Sequence, residues 1–168
     1  MLKIIQPTKK SEPVRFKDII KVLIDSLRIK WAMMNPFDGR YPVASSIAHC
    51  QIEATNPLRF FVLGRAWHLA AGKPYKLKRF FGFPWPRTII NPEIIWHGED
   101  KIKSIEADVG DERPPLNIRR WEIIEVKYQT FFGKRKRKFY HYRSSLIQHN
   151  IDLFNCFSLK DRQKNRYN

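Results

Sequence analysis

The sequence contains 168 residues, of which 43% are hydrophobic and 14% aromatic, and this suits one domain with a single packed core. Its 32 Lys and Arg against 16 Asp and Glu give a formal net charge of +16, and we expect a field of this sign to attract polyanions. Two distant cysteines, Cys50 and Cys156, exclude a disulfide framework and favour a reducing compartment. The lack of a long apolar run argues against a membrane span, a signal peptide or a membrane partner.

An amphipathic helix is predicted over residues 16–34, followed by a turn. The helix should end at Asn35, because the residue before Pro36 is pushed out of the helical region and Gly39 permits a turn. Its apolar residues recur at three- and four-residue intervals, with charged residues between them: Ile20, Leu23, Ile24, Leu27, Trp31 and Met34.

Strands and a second helix are predicted after this turn. Gly133 favours a hairpin between the last two strands, and residues 144–154 repeat apolar side chains at helical spacing. Four apolar runs rich in β-branched and aromatic residues are interpreted as strands, at residues 58–63, 88–96, 121–128 and 138–142. These elements predict an α+β fold with an N-terminal helix, antiparallel sheets and a second helix packed on them.

Two segments are expected to lie at the surface without regular structure. Residues 66–87 form a basic insertion rich in aromatic side chains and prolines, and residues 157–168 form a polar, basic tail. We therefore predict a single domain over residues 1–156, followed by the tail.

A first motif lies just after the predicted N-terminal helix. Residues 44–51 read Ala-Ser-Ser-Ile-Ala-His-Cys-Gln and follow the pattern G-x-G-L-A-A-x-Q. Ile47, Ala48 and Gln51 match the pattern, whereas Ala44 and Ser46 replace its two glycines. The loss of both glycines weakens the case for a close backbone approach at this loop.

Two further motifs follow in order. Residues 90–92 read Ile-Asn-Pro, and after them Glu106 matches the glutamate of E-G-C-L-S while Asp108 replaces its cysteine. Residues 148–153 read Gln-His-Asn-Ile-Asp-Leu and follow the helix motif Q-H-E-x-D-H, with Asn150 for the glutamate and Leu153 for the second histidine. Over residues 16–156 the chain thus resembles the peptide deformylase family, and the resemblance implies that family's fold.

The resemblance also implies a metal site and a hydrolytic reaction. In the family, one cysteine and the two histidines of H-E-x-x-H hold a divalent metal, the glutamate moves a proton, and the glutamine stabilises an oxyanion. The matching positions are Asp108, His149 and Leu153 for the metal, Asn150 for the base and Gln51 for the oxyanion. Leucine has no ligand atom, and an amide takes up no proton near neutral pH. We therefore expect no metal, no cofactor and no catalysis at these positions.

Three functions fit these substitutions. The first is a non-catalytic deformylase-like protein that acts as a binding or structural component of a larger assembly, such as a ribonucleoprotein. The second is a divergent active deformylase that removes formyl from N-terminal formyl-methionine, with a rearranged metal site made of Asp108, His149, Asp152 and Cys156. The third is a structural protein of a virus particle built on the same fold.

The basic residues suggest an RNA partner. Cations contact phosphates and aromatic rings stack on bases, and deformylases act on nascent chains at the ribosome. We expect RNA or a ribonucleoprotein assembly, otherwise an acidic protein. The expected location is the cytoplasm or a large assembly, with an organelle or a virion left open. The candidate contacts are Lys134, Arg135, Lys136, Arg137 and Lys138 at the predicted hairpin tip, and Lys73, Lys76, Lys78, Arg79 and Trp85 in the insertion.

Overall fold

Two helices and seven strands make up the described part of the chain. The computed structural model describes residues 4–34, 46–64, 87–107, 114–157 and 159. In chain order, the elements are a 3-10 turn at Phe16–Asp18, α1 at Ile19–Met34, β1 at Ser46–Ala48, a 3-10 turn at His49–Gln51, β2 at Phe60–Leu63, β3 at Arg87–His97, β4 at Lys101–Glu106, β5 at Leu116–Trp121, β6 at Ile123–Thr130, β7 at Gly133–Tyr140 and α2 at His141–Phe154. The fold is α+β, as predicted.

The main sheet is antiparallel and has a buried cluster on each face. Its five strands follow the order β1-β2-β3-β6-β7, and β4 pairs with β5 in a separate two-stranded sheet. Successive side chains of a strand point to opposite faces. Phe60 of β2 therefore packs with Val22 of α1, whereas Phe61 packs with Leu153 of α2. The main sheet thus lies between the two helices.

Most of the predicted elements are present, with shifted ends. The helix predicted over residues 16–34 is confirmed, and α2 begins three residues earlier than predicted. The run at 58–63 contains β2, the run at 88–96 lies within β3, and the run at 121–128 overlaps β6. The strand predicted at 138–142 is only partly correct, because β7 ends at Tyr140 and residues 141–142 begin α2. The prediction missed β1, which has three residues, and β4 and β5, which have six residues each and contain several charged or polar side chains.

The prediction for residues 134–138 was wrong in one respect. The five cations do not form a hairpin tip but lie within β7, which pairs with β6 from Gly133 opposite Thr130 to Tyr140 opposite Ile123. The turn consists of Phe131 and Phe132. Gly133 follows it with φ 125°, a conformation that glycine adopts without a steric penalty.

The apolar stripe predicted on α1 faces outward. Ile20 is 72% exposed and Trp31 is 69% exposed, and the intervening Leu23, Ile24 and Leu27 are also exposed. The buried side of α1 instead contains Val22 and Ile29 together with the polar Asp25 and Ser26. Hydrophobic periodicity therefore identified the helix but not the face that packs on the sheet.

The N-terminal segment is held against the sheet by Asn91 of the Ile-Asn-Pro motif. The Asn91 side chain accepts a hydrogen bond from the Val14 N–H at 2.8 Å and donates one to the Val14 carbonyl at 2.9 Å. Its backbone has φ 48°, a left-handed conformation that asparagine tolerates better than most residues. In addition, the Ile5 N–H donates to the Gln51 carbonyl at 2.7 Å.

Several predictions lie outside the described residues. These include the turn after α1, the insertion except for Arg87, Asp108, and the tail except for Phe157 and Leu159. The division into one domain and a tail therefore stays a prediction. Among the described helices, none has the length and apolar character needed to cross a bilayer.

Candidate active site

The first motif forms β1 and the 3-10 turn that follows it. All residues from Ser46 to Gln51 are buried. The Gln51 Oε1 accepts a hydrogen bond from the Ala48 N–H at 2.9 Å, which closes the turn on itself. The side-chain oxygen of Gln51 is therefore already hydrogen-bonded, and its side-chain nitrogen can donate a hydrogen bond.

His49 anchors this turn to α1. Its ring is fully buried and stacks on Phe60, with 4.6 Å between ring centroids. Nδ1 accepts a hydrogen bond from the Leu58 N–H at 2.8 Å, so Nε2 carries the proton and donates to Asp25 Oδ2 at 3.2 Å. Burial lowers the pKa of His49 in spite of Asp25, which favours the neutral ring.

Helix α2 buries an unusually polar side against β5. Gln148 accepts a hydrogen bond from the Trp121 N–H at 3.1 Å and donates to the Trp121 carbonyl at 2.9 Å. Ser144 Oγ also donates to that carbonyl at 2.7 Å. Because buried polar groups are costly unless they are hydrogen-bonded, these bonds fix α2 relative to the end of β5.

Four titratable side chains form a buried charge cluster beside this contact: Glu106, Arg120, His149 and Asp152. Arg120 donates to both oxygens of Glu106, from Nε at 2.8 Å and from Nη2 at 2.7 Å. Arg120 Nη1 also donates to Asp152 Oδ2. His149 Nδ1 lies 3.2 Å from Glu106 Oε2 and donates its proton there. The cluster joins β4, β5 and α2.

The buried charge cluster keeps Glu106 ionised. Burial alone would raise the pKa of Glu106, but hydrogen bonds from Arg120 and His149 and the charge of Arg120 lower it to about 2. The carboxylate therefore accepts the Nδ1–H of His149 at neutral pH. In the neutral ring, the acceptor nitrogen is then Nε2.

Asn150 connects α2 to β1. Its Nδ2 donates to Ser46 Oγ at 2.8 Å and to the Leu146 carbonyl at 2.7 Å. Asn150 is completely buried, and its Oδ1 accepts no hydrogen bond from the described residues. This contact joins α2, which carries His149, to β1, which leads directly into the 3-10 turn that ends at Gln51 (the Gln51 turn).

The described residues do not fit the family's metal. Leu153, four residues after His149, is buried in the apolar cluster with Phe61 and Phe154 and offers no ligand atom. Asp152 accepts a hydrogen bond from Arg120. Among the residues that the structure describes, no group of three His, Cys, Asp or Glu side chains is placed to hold a metal. His149, Asp152 and Cys156 therefore do not assemble the rearranged site, and Asp108 lies outside the described residues.

The family model of polypeptide deformylase matches residues 3–168 of the chain. The chain belongs to the peptide deformylase family. Its sequence is 32% identical to the peptide deformylase of Rickettsia akari over 69 residues, which are 40% of this chain and 39% of that protein. The match thus spans about two fifths of the length of this relative, and a peptide deformylase of Rickettsia conorii matches over the same lengths at 30% identity.

Solved deformylase structures share the fold. A Met-Ala-Ser-bound class I type b peptide deformylase from Acinetobacter baumannii has a TM-score of 0.72 and 18% identity, with 96% of this chain and 97% of that chain covered. A probable peptide deformylase from Synechococcus phage S-SSM7 has a TM-score of 0.69 and 19% identity, with coverage of 96% and 99%. The prediction of a deformylase-like fold is confirmed.

The prediction of a non-catalytic protein was wrong. The family that matches is a family of enzymes, and the match includes all three substituted motifs. The prediction treated the loss of two side chains, at Asn150 and Leu153, as the loss of the whole site. The third candidate function, a virion structural protein, is not supported by these relatives, because they are named as deformylases.

Sequence reasoning found some site residues and missed others. It singled out Gln51, His149 and Asn150, and all three are buried: Gln51 in the 3-10 turn that follows β1, and His149 and Asn150 on α2. It missed Arg120. The signal that could have found this residue is a charged side chain at an inward position of a strand whose partner strand carries an acidic residue, because buried charges are paired. His49 does not match the motif pattern and was not singled out, yet its contacts to Leu58 and Asp25 hold the Gln51 turn.

Proposed function

We propose that this protein is a divergent peptide deformylase, which hydrolyses the formyl group of an N-terminal formyl-methionine. The family match along the chain supports the reaction class. One observation carries the proposal: His149, in the motif helix, donates its Nδ1–H to a buried carboxylate that Arg120 keeps ionised. An imidazole oriented in this way by a carboxylate is a competent general base.

In this proposal, His149 takes the proton of the attacking water. The tautomer set by Glu106 places the lone pair on Nε2. As water adds to the formyl carbon, Nε2 accepts a proton, and the resulting imidazolium is stabilised by the Glu106 carboxylate. The C–N bond then breaks, the imidazolium returns its proton to the departing amine, and formate and a free N-terminus are released.

Gln51 is the candidate for stabilising the tetrahedral intermediate. Its carbonyl oxygen is committed to the Ala48 N–H, which leaves its amide nitrogen as a donor for the oxyanion. Donors fixed before the reaction lower the barrier more than mobile ones, because no reorganisation is needed when the charge develops. The His49 contacts to Asp25 and Leu58 keep the turn in place.

The proposed hydrolysis uses side chains of this chain and no metal. A divalent metal bound at the family's position would polarise the formyl oxygen and lower the pKa of a bound water. Of the described residues at those positions, His149 has a ligand atom and Leu153 has none. The donor set therefore does not fit the ion, and the chemistry is assigned to the side chains of this chain.

The proposal is tested by measuring formate. Purified protein is incubated with a formyl-methionyl peptide, with and without added divalent metal, and formate is quantified against a buffer blank. An N-acetyl-methionyl peptide of the same sequence is the matched control. We expect formate release above the blank from the formyl peptide alone. Formate at the level of the blank under every metal condition, from folded protein, would overturn the proposal.

The RNA partner, the ribosomal association and the cytoplasmic location stay predictions. The candidate active site does not bear on them, because its charges are buried and paired within the fold.

A further inference from the structure

Strand β7 is the edge of the main sheet and is unusually basic. It carries Lys134, Arg135, Lys136, Arg137 and Lys138 in succession, and all five are exposed. Only Phe139 of this strand is buried. Lysine on an edge strand blocks pairing with other chains. The arrangement of the neighbouring side chains also suits the binding of a polyanion.

The pairing register divides these cations between the two faces of the sheet. Arg135 and Arg137 share a face with Phe139, and they pair with the buried Tyr128 and Val126 of β6. Lys134, Lys136 and Lys138 point to the opposite face, where Lys127 pairs with Lys136. These four lysines are named the lysine face. Alternate residues of a strand are about 7 Å apart, so the lysine face presents an extended row of positive charge.

Two exposed aromatic rings lie on the same side as the lysine face. Trp96 of β3 is 47% exposed, and Lys138 Nζ lies 5.0 Å from its ring centroid. Tyr140, at the end of β7, is 50% exposed and shares the face of Lys138. A row of cations beside exposed rings is the arrangement by which proteins contact the backbone of single-stranded nucleic acid and stack on its bases.

Two carboxylates of the described residues lie on the lysine face. Glu125 lies on the same face and pairs with Lys136 at 3.2 Å, and Glu93 pairs in register with Lys127. The lysine face thus carries four cations against two carboxylates. The formal charge of +16 for the whole chain adds a long-range attraction for polyanions.

We propose that the lysine face, with Trp96 and Tyr140, binds single-stranded RNA. The flat face of a sheet offers no helix for the major groove of duplex DNA, whereas phosphate contacts and stacking suit an unpaired strand whose bases are accessible. This role goes beyond deformylation, because the buried charge cluster shares no residue with the lysine face.

The test is a salt titration of RNA binding with two variants, one on each face of β7. The probe is a fluorescein-labelled oligouridylate, and its Kd is measured over a range of KCl concentrations. A variant with Lys134→Gln, Lys136→Gln and Lys138→Gln removes three of the proposed phosphate contacts. At about 0.7 per contact for single strands, the slope of log affinity against log salt should fall by roughly 2. The control variant carries Arg135→Gln and Arg137→Gln on the other face and should change the slope much less.

Stacking is tested separately with Trp96→Ala. This variant should weaken oligouridylate binding by roughly ten-fold and leave the salt slope unchanged, because stacking releases no counterions. Polyglutamate of similar length serves as a competitor without bases, and it should compete poorly. Competition by polyglutamate equal to that of unlabelled oligouridylate would assign the surface to an acidic protein and overturn the RNA proposal. Equal slopes for the lysine and arginine variants, with both folded by circular dichroism, would also overturn it.

Discussion

The buried charge cluster on α2 and the lysine face of β7 both consist of charged side chains, but they differ in what surrounds the charges. In the cluster, Arg120 is flanked by Glu106 and Asp152, and all three are nearly inaccessible to water. On the lysine face, Lys136 keeps 60% of its side chain exposed even though it pairs with Glu125. Exposed pairs of this kind contribute little to stability, typically 0–1 kcal/mol.

The buried charges fix the arrangement of the elements around them, whereas the exposed charges attract polyanions from a distance. A buried charge is costly without its partners, so the cluster holds β4, β5 and α2 in one arrangement and orients His149. Exposed cations on a strand edge can be replaced at little cost to folding, but they determine which polyanions approach. We therefore expect changes in the cluster to affect stability and catalysis, and changes on the lysine face to affect binding alone.

The largest effect on stability is expected for Arg120→Met. This change leaves Glu106 and Asp152 as buried carboxylates without their cation, and breaking a buried pair in this way costs about 3–5 kcal/mol. Guanidinium unfolding at pH 7 measures the loss. The matched control is Arg119→Met, because Arg119 is exposed on the same strand and should change stability by about 0.5 kcal/mol or less. Equal stability of the two variants would mean that the cluster does not form.

A smaller effect should appear as a pH dependence. The pKa of Glu106 is lowered to about 2 from its ordinary value of 4.5, so the folded state favours the ionised form. Its contribution is fully present above about pH 5 and is lost as the pH falls toward 2, with a total on the order of 3 kcal/mol. Glu106→Gln should flatten this part of the stability curve, whereas Glu93→Gln, at an exposed position on β3, should leave it unchanged. A wild-type curve that is already flat between pH 5 and 2 would contradict this assignment.

The smallest effect concerns the contact between β1 and α2. Ser46 and Asn150 replace a glycine and a glutamate of the family motifs, and they bond to each other at 2.8 Å. A double-mutant cycle of Ser46→Ala with Asn150→Ala should give a coupling of about 1 kcal/mol. Ser145→Ala is the control, because its hydroxyl makes only a 3.5 Å contact to the His141 carbonyl of its own helix. Additive single changes at Ser46 and Asn150 would show that the contact does not matter.

The sequence predicted the fold more completely than the site, for a physical reason. Helical periodicity and β-branched runs are local signals, and they identified α1, α2 and the central strands. The strands that were missed are β1, with three residues, and β4 and β5, in which charged and polar residues interrupt the apolar ones. The apolar stripe of α1 faces outward, and its periodicity does not show that Asp25, on the other side of the helix, contacts the buried His49.

The buried charge cluster depends on residues far apart in the chain. Glu106 and His149 are 43 residues apart, and Arg120 is 32 residues from Asp152. The sequence motifs identified Glu106 and His149 separately, but nothing in their spacing shows that Arg120 joins them. Without that link, the loss of a glutamate at Asn150 and a histidine at Leu153 suggested a dead site. The family match corrects that view.

The role of His149 is tested most directly by comparing formate release by wild-type protein, His149→Ala and His97→Ala. His149 is the proposed base, whereas His97 is exposed at the end of β3. Losing a general base typically lowers a rate by a factor of about 10²–10⁴. We expect His149→Ala to lose formate release by at least about 10²-fold while remaining folded, and His97→Ala to keep the wild-type rate. Equal rates for wild-type and folded His149→Ala would contradict this role.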